Sequence, residues 1–218
     1  MQISKETIEV LKNFATINTN LLIRKGKVLS TISTAKNIFA VADVAEEFPE
    51  EIAIYDLNSL LALLTLMENQ DVSFGEKSLS ISKDQGKFEY FYSSPTVIVA
   101  APDKKIEIDN HYEFNLSAED VNMINKAAAI TGAPTITILS KNGTVTLVVG
   151  DKKVDTANTY KKTLGEFGET FECHMAVDNF KIIPDAYTVT ISKKKAFHFK
   201  NNNKPTTYFI AMEPDSVV

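Results

Sequence analysis

The chain has very few of the residues that build reactive or covalently stabilised sites. Its 218 residues include one cysteine, three histidines and no tryptophan. The single cysteine, Cys173, cannot form a disulfide within the chain, which favours a reducing, intracellular setting. No apolar run approaches the roughly 18–20 residues that a membrane helix needs, and the start shows no apolar segment typical of a signal peptide. These shortages argue against a disulfide-rich secreted protein and against a membrane-spanning one.

Motifs for nucleotide binding and catalysis are also missing. The sequence contains neither G-x-x-x-x-G-K-[ST] nor G-x-G-x-x-G, so no phosphate-binding loop is indicated. Cys173 and His174 are adjacent, and neighbours on a strand point to opposite faces, which makes them a poor metal pair. His111 and His198 are isolated in sequence. We therefore expect no enzyme activity, no cofactor and no metal, and we expect Cys173 to lie in the core.

Basic residues are outnumbered by acidic residues, 23 to 28, which gives a net charge of −5. A domain that wraps nucleic acid tightly is expected to be basic, but this balance still allows contact with DNA on one face. The acidic stretch DVAEEFPEEIAIYD (43–56) lacks the alternation and the glycine of an EF-hand loop. A solvated outer loop is the favoured interpretation of this stretch, and a metal site is the alternative.

What the sequence does have is an internal repeat. The opening SKETIEVLKNFATINTNLLIRKGKV corresponds to SAEDVNMINKAAAITGAPTITILSKNGTV in the second half. Ser4 aligns with Ser117, and Gly26 aligns with Gly143 after a shift of four residues. Because Ser is a favoured N-cap residue, each half is predicted to begin with a capped helix. The length suits two domains of about 100 residues each.

Hydrophobic periodicity predicts two helices in the first half. The first runs from Lys5 to about Ile17, with Ile8, Leu11, Phe14 and Ala15 on the buried face and Lys5, Glu9, Lys12 and Thr16 on the opposite face. The second lies in DLNSLLALLTLM, with Leu57, Leu60, Leu61 and Leu64 inward and Asn58, Ala62 and Thr65 outward. LLIRKGKVLSTI is predicted to be a hairpin, and NIFAVADV, DVSF, SLSIS and KFEYFY are predicted strands.

The second half repeats this order. Its first helix is predicted from Ser117 to about Ala129, and TITILSKNGTVTLVV is a hairpin because Asn142-Gly143 separates two alternating runs. HMAVDNFKIIP is predicted to be the second helix, with Val177 and Phe180 inward and Pro184 as the stop. AYTVTIS, AFHFK and TYFIAM close the half as strands. The predicted fold is α+β, with two duplicated domains, 1–93 and 113–218, each placing two helices on an antiparallel β-sheet body, joined by a connector at 94–112.

Four segments, EVLKNFATIN, AIYDLNSLLALL, SSPTVIVAAPDKKI and YFIAMEPD, resemble the sliding clamps of T-even-type bacteriophages. These are DNA polymerase processivity factors with the proliferating-cell-nuclear-antigen-like fold, and the resemblance extends from about Ser4 to Met212. It implies that three two-domain subunits close head-to-tail into a ring, with helices lining the hole. Similar domains around an axis then explain the repeat.

The resemblance also implies partners and a setting. The partners are encircled duplex DNA without sequence preference, the C-terminal peptide of the DNA polymerase, an ATP-dependent clamp loader and two further copies of the chain. The setting is the cytoplasm of an infected bacterial host, with no membrane association, and a role in late viral transcription is a further implication.

Three sets of candidate site residues follow from the resemblance by position. The DNA-facing residues are Lys5, Lys12, Lys126 and Lys181. The partner-peptide pocket comprises Val97, Ile98, Val99, Phe209, Ala211 and Met212. The subunit interface comprises Phe88, Glu89, Phe91, Tyr160, Lys161 and Lys162. Two alternatives stay open: the lysines lie on ordinary solvated helix faces, or residues 97–99 form a core strand beside Phe209.

Composition alone also allows a function of another class, a two-domain α+β enzyme or ligand-binding protein that uses the cleft between its duplicated halves. Such proteins usually show a constellation of histidine, cysteine or carboxylates at recognisable spacing, and this sequence shows none. Native mass separates the two possibilities, because a ring clamp is expected to be a trimer and a cleft enzyme a monomer or dimer.

Overall fold

A computed structural model of the chain describes residues 1–66, 70–103 and 106–218. The chain divides into two compact units, Met1–Lys104 and Lys105–Val218. The α-helices are α1 Lys5–Ile17, α2 Leu57–Leu66 and α3 Ala118–Thr131. The strands of the first unit are β1 Leu21–Ile23, β2 Gly26–Ile32, β3 Ile38–Phe48, β4 Ile52–Ile54, β5 Asp71–Phe74, β6 Ser78–Lys83 and β7 Gly86–Phe91. Those of the second are β8 Tyr112–Leu116, β9 Thr135–Lys141, β10 Thr144–Gly150, β11 Tyr160–Glu166, β12 Phe171–Ala176, β13 Tyr187–Ser192, β14 Ala196–Asn201 and β15 Thr206–Ala211.

The two predicted N-caps are confirmed. The Ser4 hydroxyl accepts a hydrogen bond from the Thr7 N–H at 3.2 Å, and the Ser117 hydroxyl accepts one from the Asp120 N–H at 3.1 Å. Asp120 also accepts a bond from the Ser117 N–H, which completes a reciprocal capping box. The aligned serines of the repeat therefore cap the first helix of each half.

The first helix buries a face slightly rotated from the predicted one. Its buried residues are Thr7, Val10, Leu11, Phe14 and Ile17. Leu11 and Phe14 were predicted correctly, whereas Ile8 and Ala15 are only half-buried. On α2 the four inward leucines are buried as predicted, and Met67 lies outside the described residues.

The prediction that the acidic stretch 43–56 is a solvated outer loop was wrong, because the stretch contains the end of strand β3 and the buried strand β4. Residues 43–48 continue strand β3, and Glu46 is only 7 % exposed. Its carboxylate accepts hydrogen bonds from the Ser4 N–H and the Thr7 hydroxyl at the start of α1. An anion is favourable there because the first turn of a helix carries unpaired N–H groups and the positive end of the dipole. Glu46 therefore fixes α1 to β3.

We expect Glu46→Gln to lower the free energy of unfolding by about 1.5–3 kcal/mol at neutral pH, the usual range for hydrogen bonds to a charged group. Burial alone would raise the pKa of Glu46, but the bonds from Thr7 and Ser4 outweigh it and the pKa is lowered. Its stabilisation is therefore present above the pKa of the unfolded chain and is lost as pH falls through the folded-state pKa. Urea unfolding across this range measures the effect. Glu47→Gln, at an exposed neighbour, is the control, and an equal loss in both variants would contradict the assignment.

The predicted hairpin in LLIRKGKVLSTI was wrong, although both strands exist. Strand β1 pairs with β4 and β2 pairs with β3, all antiparallel. The Arg24-Lys25 turn therefore separates strands with different partners rather than closing a hairpin. The remaining strands of the unit pair in the order β5-β6-β7.

In the second unit, β9 and β10 form the predicted hairpin. Asn142 and Gly143 have φ values of 53° and 82°, the left-handed pair that a tight two-residue turn requires. The strands pair in the order β11-β10-β9-β12, and a second set pairs in the order β8-β13-β14-β15. Side chains of both sets and of α3 pack around a void of only about 10 Å³, which marks the core.

The second helix predicted for the second half is absent, and this correction also affects one candidate site residue. HMA belongs to strand β12, and only a single 3-10 turn, Val177–Asn179, follows it. Residues of β12 pair with β9 along its full length, so sheet pairing overrides the local helical pattern. Among the described residues, no helix is long and apolar enough to cross a membrane.

Candidate DNA and partner surfaces

The exposed face of α1 carries two of the four lysines predicted to face DNA. Lys5 and Lys12 are both exposed, together with Glu9 and Thr16, as the helical pattern predicted. Lys5 and Lys12 are seven residues apart, two helical turns along one face. Beside them runs a groove of about 610 Å³ between α1 and the end of α2. It is lined by Gln2, Ile3, Ser4, Lys5, Ile8, Glu9, Lys12, Leu64, Thr65 and Gln70.

The other two predicted DNA-facing lysines occupy different environments. Lys126 is exposed on α3, next to exposed Asn122 and Asn125. Lys181 follows the 3-10 turn, is half-buried, and its backbone N–H donates to Asn179 O at 2.9 Å. Lys181 therefore does not lie on a helix face, contrary to the prediction, and of the four lysines only Lys5, Lys12 and Lys126 project from helices.

The exposed face of α2 is neutral, as predicted. Asn58, Ala62 and Thr65 are exposed, while the leucines face inward. Asp56 precedes the helix and accepts hydrogen bonds from Asn58 N–H and from the Ser59 N–H and hydroxyl. Bonds from Ser59 are the main reason why the pKa of Asp56 lies below its usual value. A neutral helix face offers no ionic contact that would fix a ligand in register.

Strand β7, the first predicted subunit-interface strand, lies at an edge of its sheet. In the described part of the chain β7 pairs only with β6. Phe91 is 68 % exposed, which is unusual for a large aromatic residue, and Phe88 is half-buried. Glu89 is exposed and accepts a hydrogen bond from the Ser78 hydroxyl at 2.7 Å. An exposed edge with an apolar side chain is a natural surface for pairing with another strand.

Strand β11, the second predicted interface strand, is likewise an edge, because among the described strands it pairs only with β10. Lys161 is exposed and Tyr160 half-exposed. Lys162 does not point freely outward, since its ammonium forms an ion pair with Asp120 at the start of α3. Burial would raise the pKa of Asp120, but the bonds from Lys162 and Ser117 outweigh it and lower that pKa.

The connector segment that contains residues 97–99 is not a strand. Ser94 caps a short 3-10 turn, Pro95–Val97, the backbone of Ile98 is extended, and residues 98–103 belong to no strand. Val97 is 60 % exposed, while Ile98 and Val99 are half-buried. The alternative that these residues form a core strand was therefore wrong. Their membership of a partner pocket stays a prediction.

The last strand, β15, presents the other residues predicted for the pocket. Tyr208 and Ile210 point into the core, so Phe209 and Ala211 face the opposite side, half-exposed and exposed respectively. Met212 is buried, and its N–H donates to Lys195 O at 3.0 Å. Of the three, Phe209 and Ala211 share one face, and Met212 is a core residue.

Sequence reasoning missed His198, which extends this face. Its ring stacks on Phe209, with centroids 4.7 Å apart and planes 19° from parallel. Burial, assisted by Lys200, lowers the pKa of His198, so the imidazole is neutral at neutral pH. The strand spacing of AFHFK and TYFIAM signals that both residues face outward, but the pairing register that aligns them is not visible in the sequence.

No arrangement typical of catalysis is present in the described residues. Burial raises the pKa of the Cys173 thiol to about 12, so it is protonated and unreactive, and Cys173 is a core residue as predicted. His174 is bound at Nδ1 to the Thr137 hydroxyl, 2.9 Å away. The His111 ring packs edge-to-face against Phe167 and Phe171. No cluster of three or more potential metal ligands occurs in residues 1–66, 70–103 and 106–218.

Two family models together cover almost the whole chain. One, described as DNA polymerase processivity factor, matches residues 4–100, and the other, described as gp45 sliding clamp, C terminal, matches residues 113–214. A sliding clamp of Vibrio phage KVP40 is 32% identical over 98% of this chain and 99% of its own length. This chain belongs to the sliding-clamp family. Sliding clamps of Escherichia phage RB69 and Enterobacteria phage T4 are each 29% identical, over 99% of this chain and 98% of theirs.

Solved structures show that the clamp fold extends well beyond phages. Proliferating cellular nuclear antigen from Entamoeba histolytica has a TM-score of 0.69 at 16% identity, covering 94% of both chains. The corresponding protein of Thermococcus kodakaraensis also scores 0.69, at 13% identity, covering 96% of both chains. The family models and the phage relatives confirm the predicted resemblance and the processivity-factor function, and the solved structures confirm the α+β clamp fold.

Proposed function

We propose that this clamp acts as a homotrimeric ring that encircles duplex DNA and tethers the replicative polymerase, with no enzymatic activity of its own. The observation that carries the proposal is the pair of sheet edges, β7 in the first unit and β11 in the second. A head-to-tail assembly joins two different surfaces, and a rotation that closes produces a ring in which neither β7 nor β11 remains an unpaired edge. Exposed Phe91 supplies an apolar contact for such a joint.

The ring retains DNA by topology, so its contacts with DNA are weak and non-directional. Every phosphate contact strengthens binding and its dependence on salt, and such contacts also position a protein on the duplex. The exposed faces of α1, α2 and α3 suit sliding, because three lysines are interspersed with the acidic residues Glu6, Glu9 and Glu119 and with neutral residues. A net charge of −5 disfavours binding of DNA to the remaining surface.

The polymerase binds through an apolar C-terminal peptide. We place its contacts on Val97, Ile98 and Val99 of the connector and on Phe209 and Ala211 of β15, with His198 as an additional floor residue. The stacked pair of His198 and Phe209 is a partly exposed aromatic surface, which fits the pattern of peptide hot spots. An ATP-dependent loader opens the ring. The clamp works in the cytoplasm of the infected bacterium, where late viral transcription is a further use of the same ring.

Replacing Lys5, Lys12 and Lys126 together by Ala is expected to reduce the number of clamps loaded on DNA severalfold and to flatten the salt dependence of loading. Each lost phosphate contact removes about 0.9 from the logarithmic salt slope. Lys181→Ala is expected to have a smaller effect, because Lys181 does not project from a helix. The measurement is loader-dependent retention on nicked circular DNA at several salt concentrations.

The matched control replaces exposed Lys27, Lys83 and Lys193, which removes the same charge from strands and turns. The control should load like the wild type, and both triple variants should keep their affinity for the polymerase peptide. Equal losses in the two triple variants would show that net charge alone governs loading and would contradict the assignment of the helix faces.

A further inference from the structure

Side chains, rather than strand pairing, hold the connector backbone in the first unit. Residues 98–101 belong to no strand, yet three of their backbone groups are bonded by side chains from the segment that follows α1. Asn18 Nδ2 donates to Val99 O at 3.1 Å, and Asn20 Oδ1 accepts from the Val99 N–H at 3.3 Å. Arg24 donates to Ala101 O at 2.7 Å. Both backbone groups of Val99 are thus satisfied by two asparagines.

The Asn18 side chain uses both its amide nitrogen and its amide oxygen in this arrangement. It is the C-cap residue of α1 and is 6 % exposed. Its amide nitrogen donates both to Val99 O and to Ile32 O, the latter at 2.9 Å, while its amide oxygen accepts from the Asn20 N–H at 2.9 Å. The side chain therefore joins three backbone segments, the end of α1, the end of β2 and the connector.

Asn20 makes a second bridge. Its oxygen faces the Val99 N–H, and its nitrogen donates to Tyr55 O at 2.6 Å, just before α2. Asn20 is only half-buried, so it can be changed without opening the core. Two neighbouring side-chain amides therefore link the connector to the end of α1 and to Tyr55 just before α2. Pro95 and Pro102, which flank the apolar run 97–101, have no backbone N–H to donate.

We propose that Asn18 and Asn20 are positioning residues of the partner-peptide site, which fix the connector at Val99 in its binding conformation. This inference rests on the proposed function. A connector without sheet partners would otherwise sample many conformations, and a binding peptide would have to order it. Preorganisation lowers that cost and increases affinity although neither asparagine touches the peptide. Their removal therefore weakens binding without changing the chemistry of the pocket.

The test compares Asn20→Ala with Asn20→Asp in the full-length clamp. The alanine variant loses both bridges, whereas aspartate keeps an oxygen acceptor for the Val99 N–H. The probe is a fluorescent peptide with the C-terminal sequence of the polymerase from the same source. Affinity is measured by anisotropy, and hydrogen exchange of the connector is followed by mass spectrometry. Asn122→Ala, at an exposed position on α3, is the control.

We expect Asn20→Ala to raise Kd about three- to tenfold, because ordering the freed connector on binding costs about as much as ordering one or two side chains. The backbone amides of residues 98–101 should also exchange hydrogen faster. Asn20→Asp keeps the bond from the Val99 N–H but loses the bond to Tyr55 O, so its Kd and exchange should lie between those of the wild type and of Asn20→Ala. The control should stay close to the wild type in both measurements. An alanine variant with unchanged Kd would overturn the inference, whether or not exchange accelerates, and so would unchanged exchange. A wild-type clamp that fails to bind the probe would instead overturn the proposed partner site and the inference with it.

Discussion

Phe91→Asp is expected to convert the clamp from a trimer into a folded monomer. Phe91 lies on the outer side of the edge strand β7 and is 68 % exposed. Its loss removes an apolar contact, and the new carboxylate would have to be desolvated against the neighbouring subunit, which costs several kcal/mol for an unpaired buried charge. The fold should survive, because the side chain contributes little to the core. Sedimentation velocity measures the change in mass.

Val28→Asp is the matched control for this variant. Val28 is also an exposed apolar residue on a strand of the first unit, 48 % exposed, but lies outside the predicted interface. The Val28→Asp variant should remain trimeric. A Phe91→Asp protein that sediments as a trimer with the stability of the wild type would remove β7 from the interface, while monomers in both variants would point to a general loss of folding.

Ile98→Glu and Ala211→Glu are each expected to abolish processive synthesis while the trimer still forms. Ile98 is half-buried in the connector and Ala211 is exposed on β15, so neither change opens the core. Losing an anchor of the polymerase peptide should cost at least about 2 kcal/mol, or about thirtyfold in affinity. Titration of the polymerase peptide measures the affinity, and primer extension with excess competitor template measures processivity.

Met212→Glu is not a useful variant for the same site. Met212 is buried and bonded to the turn at Lys195, so a carboxylate there would destabilise the second unit rather than the pocket alone.

Val28→Glu, at an exposed position, serves as the control for the charge added in Ile98→Glu and Ala211→Glu. Equal peptide affinities of the wild type and of Ile98→Glu and Ala211→Glu would move the partner site elsewhere, and the subunit interface would be the next surface to test.

Features set by local chemistry could be predicted from the sequence. The bounds of α1, the N-caps Ser4 and Ser117, and the Asn142-Gly143 turn were correct because each depends on a few neighbouring residues. Pairing between distant strands could not be predicted in the same way. The strand LLI pairs with β4 rather than with β2, and HMA joins a sheet instead of forming a helix, because the partners lie far away in sequence.

The candidate site shows the same difference between features set by local sequence and features set by distant contacts. Exposure of Lys5 and Lys12 follows from helical periodicity, whereas the loss of a helix around Lys181 depends on the pairing of β12. Neither the bonds of Asn18 and Asn20 to Val99 nor the contact of Glu46 with α1 has a local signal. Their partners are separated by 81, 79 and 42 residues respectively. Such side-chain contacts become visible only once the fold brings the segments together.

Retention on DNA tests the central claim most directly. Clamps are loaded with loader and ATP onto linear DNA that is either open or blocked by bulky protein at both ends, and free protein is then removed by gel filtration. A closed ring held by topology stays with the blocked DNA and slides off the open DNA, and cutting the blocked DNA between its ends releases it. Equal retention on both substrates, or stoichiometric sequence-specific binding by isolated subunits without a loader, would contradict the account.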